Sequence, residues 1–263
     1  MRDLFEQPAE GARADPNVSA RRAARPTLRS RFYTAVAINQ LPEGHAVTLD
    51  GKLMRTPARR LLAAPMPAIA DALRDEWDAQ AQFVDPARMP LTRLANSIID
   101  GVADRREEVA AEIVKYVGSD LLFYRADGPE GLVAKQGAAW DPIVRWAADE
   151  LGARFVLVEG IVHVRQLDPA IAAARAAVPA DAWIVGALHS ITTLTGSGLL
   201  ALALMHRFRD AEAIWRAAHV DEDWNFETWG VDDLAMSRRA AREAEFKAAG
   251  LVLDAMTAGR EAG

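Results

Sequence analysis

Residues 46–55 read Ala46-Val47-Thr48-Leu49-Asp50-Gly51-Lys52-Leu53-Met54-Arg55, two short runs suited to β-strands with the pair Asp50-Gly51 between them. Asp and Gly tolerate the positive φ angles of a type I′ turn, whose twist matches that of two antiparallel strands. A two-residue loop would place Leu49 opposite Lys52 and Val47 opposite Met54. This stretch therefore predicts a β-hairpin.

The segments on either side of the hairpin differ in period. Residues 31–38, before it, alternate with the two-residue period of a strand. After it, Thr56-Pro57 and Pro65 end the sheet, because proline cannot donate to a strand ladder. From Pro67 onward the apolar residues recur at helical spacing. We therefore expect an α+β protein, with a small N-terminal β domain followed by a larger, mostly α-helical domain.

The changes in composition and period also give expected domain boundaries. The first 30 residues are rich in Ala, Arg and Pro and have no clear period, which is typical of a solvated arm. We expect an N-terminal arm at residues 1–30, a β domain at 31–66, and a helical domain at 67–263. A short β interlude is expected near 154–164.

Two sites in the helical domain have the pattern of helix N-termini. Asp104-Arg105-Arg106-Glu107 has the spacing of a capping box, in which two side chains satisfy free backbone amides. Asp141-Pro142 places a capping side chain before a first-turn proline. Both patterns predict that a helix begins there.

Composition disfavours several classes of function. The 263 residues carry a net charge of -6, which disfavours general affinity for nucleic acid or anionic membranes. There is no cysteine, so disulfides and thiolate metal sites are excluded. No apolar run reaches the roughly 18–20 residues of a membrane helix, and the first residues lack the basic-then-apolar order of a signal peptide. We therefore expect a cytoplasmic protein without membrane insertion or a nucleic-acid partner.

Gly196-Ser197-Gly198-Leu199-Leu200-Ala201 matches the dinucleotide-binding pattern G-x-G-x-x-A. That site needs a strand before the glycines and a helix after them, so that free backbone amides meet the pyrophosphate. The preceding apolar residues have helical spacing instead, which favours a tight turn between two helices. A nucleotide-binding enzyme that uses the Gly196–Ala201 turn remains the alternative hypothesis.

Other patterns of catalytic or metal-binding residues are weak. Ser197 lacks the flanking glycines of a nucleophile elbow, although a Ser-His-Asp set assembled through space stays open. His206 and Asp210 are four residues apart on a predicted helix, but nothing nearby supplies the converging pairs of a metal site. We expect no catalytic residue, no cofactor and no metal.

Residues 221–230 combine aromatic and acidic side chains at high density. Two Trp, one Phe and four acids fall within these ten residues. A plain amphipathic helix that ends at Gly230 would explain the pattern. A protein-binding surface would also explain it, because large aromatic anchors inside a charged rim are typical of such surfaces. The candidate protein-binding residues are Asp221, Glu222, Asp223, Trp224, Glu227 and Trp229.

Several segments, taken in order, resemble one known family. They are Arg31-Phe32-Tyr33, Leu49-Asp50-Gly51-Lys52, Arg55-Thr56-Pro57, Glu76-Trp77, Met89-Pro90-Leu91-Thr92-Arg93-Leu94-Ala95-Asn96, Ser119-Asp120-Leu121-Leu122-Phe123-Tyr124-Arg125, Trp140-Asp141-Pro142 and Trp229-Gly230. The series, which spans about residues 31 to 235, is similar to the assembly chaperones of the F-type ATP synthase that bind the alpha subunit of the catalytic sector.

The resemblance implies a function in protein assembly. It implies the α+β fold already expected, no catalysis and no cofactor. The client would be newly made alpha subunit, kept from aggregating until beta subunit replaces the chaperone. The resemblance also places a functionally important acid of the family on Glu222, between Asp221 and Asp223.

Overall fold

The computed structural model describes residues 28–258. All but the last three residues of the predicted N-terminal arm, 1–30, therefore lie outside the described residues.

A small antiparallel sheet forms the first part of the structure, with β3 at its centre. The sheet contains β2 (Val36–Leu41), β3 (Gly44–Leu49), β4 (Lys52–Leu53) and β5 (Ala63–Ala64), and this part of the chain also has β1 (Arg29–Ser30) and β6 (Phe83–Val84). Along β3, β2 pairs on one side, while β4 and β5 pair at its two ends on the other. β1 and β6 form a separate two-stranded ladder.

The predicted hairpin is confirmed, including its register. Leu49 lies opposite Lys52, and the Met54 amide donates to the Val47 carbonyl at 2.9 Å. Asp50 and Gly51 have φ angles of 47° and 76°, as a type I′ turn requires.

The strand before the hairpin begins later than its sequence period predicts. β2 starts at Val36, so residues 31–35 do not belong to a strand. The Asp50 carboxylate accepts hydrogen bonds from the amides of Thr34 and Ala35, at 3.0 and 2.9 Å. These amides are satisfied by a side chain, and no ladder partner is needed at this point.

Helices make up most of the remaining chain. They are α1 (Pro67–Asp78), α2 (Pro90–Asp100), α3 (Arg106–Val117), α4 (Glu130–Glu150), α5 (Asp168–Ala176), α6 (Ala182–Thr195), α7 (Gly198–Met205), α8 (Ala211–Ala218), α9 (Val220–Trp229) and α10 (Asp233–Ala258). A two-residue parallel pair, β7 (Tyr124–Arg125) with β8 (Val158–Glu159), lies between them. The expected mixed fold, with a small strand region followed by a helical region, is confirmed.

The core is built around α6 and α7. Every residue of α7 is buried, which fits its unbroken apolar sequence GLLALALM. Helices α3, α4, α6, α8 and α10 pack around it. Close packing depends on Gly198, since a Cβ atom there would lie 2.5 Å from Cγ2 of Val117 and 3.3 Å from the Ile113 carbonyl oxygen. No helix within residues 28–258 combines the length and apolar character that crossing a bilayer requires.

Helix α1 joins the sheet to the helices. It packs on β2, β3 and β5, and also on α2 and α10. At its C-terminal end the Tyr33 hydroxyl donates to the Trp77 carbonyl at 2.6 Å. Glu76 accepts hydrogen bonds from the amides of Leu91 and Thr92, both at 2.7 Å, and so caps α2 from a neighbouring helix.

One predicted helix start is confirmed without its cap and the other is wrong, because each capping side chain has a partner elsewhere in the fold: α3 begins at Arg106, next to the Asp104–Glu107 pattern, whereas no helix begins at Asp141-Pro142. Asp104 lies before the N-terminus of α3 and accepts from the guanidinium of Arg60, and α3 has no side-chain cap. Asp141 accepts from Arg125 at 2.7 Å, and Pro142 lies inside α4, twelve residues after its start at Glu130. Both aspartates thus pair with distant arginines.

Candidate functional site

The acidic and aromatic stretch forms helix α9, directly after α8. None of its residues is fully buried, and Trp229 at its C-terminus is 83% exposed. His219, the residue between the two helices, is buried, and one of its ring nitrogens, Nδ1, lies 2.7 Å from the Trp215 carbonyl oxygen. The helix therefore lies on the surface and is fixed to the body mainly at its first turns.

Three of the four acids on α9 form hydrogen bonds with side chains on other helices. Asp221 accepts from the amide nitrogen of Gln136 at 2.7 Å. Asp223 forms an ion pair with Arg239, and Glu227 forms one with Lys135. These contacts orient α9 against α4 on one side and α10 on the other.

Glu222, the fourth acid, faces inward. Its Oε2 atom is buried without a hydrogen bond, 3.7 Å from Nη1 of Arg239 and 3.8 Å from Nε2 of His219. Burial lowers the pKa of His219, which favours the neutral ring. The hydrogen bond to Asp223 raises the pKa of Arg239, so this guanidinium is the permanent positive charge next to the two carboxylates.

The two tryptophans of α9 have different environments. Trp224 is half-buried against α4: a Cβ atom on Gly131 would lie 2.8 Å from its ring. Lys135 covers the ring, with Nζ 5.4 Å from its centre. Trp229 instead projects at the end of the helix, followed by the exposed residues Val231, Leu234 and Met236. We name these four side chains the α9–α10 corner.

Sequence reasoning identified the acids and aromatics of α9 but missed the residues that hold them. Gln136 and Asp221 are 85 positions apart, and Lys135 and Glu227 are 92 apart. Arg239 lies on the next helix among several arginines with similar surroundings in the sequence. No local pattern marks any of the three, because only the packing of α4 and α10 against α9 brings them to the site.

A groove of about 430 Å³ lies beside α9. Its walls come from α4, α8, α9 and the loop before α8, and they include the side chains of Lys135, Pro142, Arg209, Arg216 and Glu227. The groove is open to solvent and lined by charges of both signs.

The Gly196–Ala201 segment is a turn between two helices, as its spacing predicts. It follows α6 rather than a strand, and Ser197 caps α7 by accepting from the Leu200 amide at 3.0 Å. The buried carboxylate of Asp120 accepts from the Leu199 amide at 3.0 Å. The segment therefore lacks the preceding strand that a dinucleotide site needs, and its Leu199 amide is already bonded to a carboxylate.

His206 and Asp210 do not share a helix, contrary to the expectation from their spacing. α7 ends at Met205, and Asp210 caps α8 by accepting from the Ala213 amide at 2.7 Å. Within residues 28–258, no three His, Asp or Glu side chains are grouped so that they could hold a metal ion.

Comparisons with known proteins identify the family. The family model described as "ATP12 chaperone protein" matches residues 30–148. The crystal structure of the Atu1473 protein from Agrobacterium tumefaciens is 45% identical, with a TM-score of 0.84, over 93% of this chain and 92% of that one.

The Atp12 structure from Paracoccus denitrificans is 39% identical, with a TM-score of 0.78, over 86% of this chain and 97% of that one. A structure of an Asp-to-Lys variant of the Paracoccus protein matches equally well. With these matches over nearly the full length of both relatives, the chain belongs to the ATP12 chaperone family, whose members are chaperones and not enzymes.

Proposed function

We propose that this chain is a cytoplasmic assembly chaperone that binds the unassembled alpha subunit of the ATP synthase catalytic sector. It prevents aggregation of that subunit until beta subunit replaces the chaperone. In the assembled ring, alpha and beta alternate, so an isolated alpha subunit exposes apolar surface that would associate non-specifically. A chaperone for such a client needs an apolar surface of its own and contacts weak enough to be displaced.

The observation that carries the proposal is the exposed apolar corner at the end of an acidic helix, in a member of a chaperone family. Trp229 is almost fully exposed, although a large aromatic side chain gains much free energy from burial. Clustered exposed apolar groups with a polar surround are typical of protein-binding surfaces. The proposed site is the surface of α9 that carries the six predicted residues, whether they contact the client or orient the residues that do; they are Asp221, Glu222, Asp223, Trp224, Glu227 and Trp229.

The acidic charge around α9 supports release of the client when beta subunit arrives. Between Val220 and Asp233 there are six acids and no Lys or Arg, so a client surface with basic groups next to apolar ones would be complementary. Polar and charged contacts at a rim are exchanged with water more readily than a large apolar interface. Such a complex can be specific and still yield to the beta subunit.

Light scattering tests the proposal. Denatured alpha subunit is diluted into buffer with and without an equimolar amount of this protein, and beta subunit is diluted in the same way as a client control. We expect the scattering of alpha subunit to be suppressed and that of beta subunit to be unchanged. Equal scattering of alpha subunit with and without the protein would refute the proposed function.

A further inference from the structure

Arg239 joins α9 to α10 through two carboxylates. It lies on the second turn of α10, and its side chain is only 15% exposed. Its Nη1 atom contacts Asp223 and lies 3.7 Å from Glu222, while the guanidinium carbon is 5.7 Å from the centre of the Phe226 ring. We name Glu222, Asp223 and Arg239 the ion-pair cluster.

The Glu222 side chain points toward its own chain, and this direction decides whether it can contact a client. Its side chain is 35% exposed, and the Oε2 atom that faces Arg239 and His219 is buried. A carboxylate in this position interacts first with the cation of its own chain. A lysine at the same place would bring a second positive charge next to Arg239, and the two would repel each other.

The ion-pair cluster lies next to the α9–α10 corner in the chain. Gly230 has a φ angle of +87°, which reverses the chain between the two helices, and the Asp232 carboxylate then caps α10 by accepting from the Ala235 amide at 3.0 Å. In the first turns of α10, Leu234, Met236 and Arg238 are all exposed. The direction of the corner therefore depends on how the two helices are held together beneath it.

We propose that Arg239 is a positioning residue that acts through Asp223 and Glu222 to fix the α9–α10 corner, and that the corner touches the client. This inference rests on the proposed function. The partner that binds the corner is the alpha subunit. Because the segment from Val220 to Asp233 has acids and no Lys or Arg, the complementary surface of the alpha subunit is an apolar groove with basic groups at its edge. In this arrangement Glu222 orients the surface and does not itself bind the client.

A double-mutant cycle separates positioning from direct contact. Binding of alpha subunit is compared for the wild type, Glu222→Lys, Arg239→Met and the double variant. We expect each single substitution to weaken binding at least about tenfold, and the double variant to bind about as weakly as either single one, because both remove the same arrangement. Losses that multiply, to about a hundredfold, would show that Glu222 contacts the client independently and would overturn the inference.

Further variants test the parts of the inference separately. Arg239→Lys keeps the positive charge and should bind within about threefold of wild type, because the observed ion pairs use a single guanidinium nitrogen. Trp229→Ala should weaken binding without changing hydrogen-exchange protection of α9, whereas Arg239→Met should lower that protection. Phe83→Ala is the matched control, since Phe83 is an exposed aromatic on β6 (42% exposed) outside this surface.

The possible outcomes distinguish the inference from the function on which it rests. If the wild type binds alpha subunit and the Arg239→Met and Trp229→Ala variants bind it equally well, the inference is overturned and the proposed function is left intact. The absence of any wild-type complex with alpha subunit would overturn both. Loss of binding in Phe83→Ala equal to that in Trp229→Ala would also count against the corner as the contact surface.

Discussion

Asp120 is the buried carboxylate on which the centre of the helical region depends, and its replacement by alanine gives a sharp prediction. Its side chain is fully buried between the short turn at 121–123 and the start of α7. Oδ1 accepts from the Leu122 amide at 3.1 Å, and Oδ2 accepts from the Leu199 amide at 3.0 Å. The Ser197 hydroxyl and the Gly198 amide also interact with it.

The expected loss of stability follows from the backbone amides that would lose their hydrogen-bond acceptor. Asp120→Ala leaves at least two buried amides without an acceptor, at about 1–3 kcal/mol each, so the free energy of unfolding should fall by about 2–6 kcal/mol. Removing a buried charge offsets part of this cost. Asp120→Asn keeps one carbonyl oxygen and the shape of the side chain, so about 2 kcal/mol should be lost.

Urea unfolding followed by circular dichroism near pH 7.5 measures these losses. Asp210→Ala is the matched control, because Asp210 also caps a helix but is exposed, and its loss should be about 1 kcal/mol. If Asp120→Ala were no more destabilising than Asp210→Ala, the reasoning from buried, unsatisfied amides would be refuted.

The pH dependence gives an independent check on Asp120. Burial raises the pKa of its carboxyl to about 6, from an ordinary value of 3.8. A raised native pKa contributes stability that is fully present below 3.8 and is lost as the pH rises through about 6. Between about pH 7.5 and 5, the stability of wild type relative to Asp120→Asn should therefore increase by about 1.4 kcal/mol. A constant difference would contradict the burial of this carboxylate.

Three further predictions concern packing, capping and ligands. Gly198→Ala should lower the free energy of unfolding by about 1–3 kcal/mol, because the added Cβ would collide with Val117 and with rigid backbone, and calorimetry would show it. Glu76→Gln should cost about 1–2 kcal/mol in urea unfolding, since an amide can accept from only one of the Leu91 and Thr92 backbone groups. Millimolar NAD or ATP should leave the melting temperature unchanged, because the glycines follow a helix and the Asp120 carboxylate already accepts from the Leu199 amide; a clear rise would show that the segment binds a nucleotide.

Local features of the fold were predictable from sequence where the residues that decide them are neighbours in the chain. The Asp50-Gly51 turn and its register follow from backbone preferences that two residues express on their own. The turn at Gly196, with α6 before it and α7 after it, follows in the same way from helical spacing and a glycine with positive φ.

Features that depend on distant partners were not predictable. Asp104 and Asp141 have the sequence pattern of helix caps, but Arg60 and Arg125 bind them in the fold. The candidate site could likewise be predicted only in part. Its acids and aromatics are recognisable from the sequence, whereas their partners on α4 and α10 are known only once the helices pack. The inward direction of Glu222 is a property of that packing.

Displacement by beta subunit tests the central claim most directly. A complex of this protein with alpha subunit is isolated by gel filtration, beta subunit is added, and the mixture is run again. We predict a one-to-one complex that beta subunit dissolves, so that this protein elutes alone and alpha subunit elutes with beta subunit. Failure to form the first complex, or alpha subunit that stays with this protein when beta subunit is in excess, would contradict a role as an assembly chaperone.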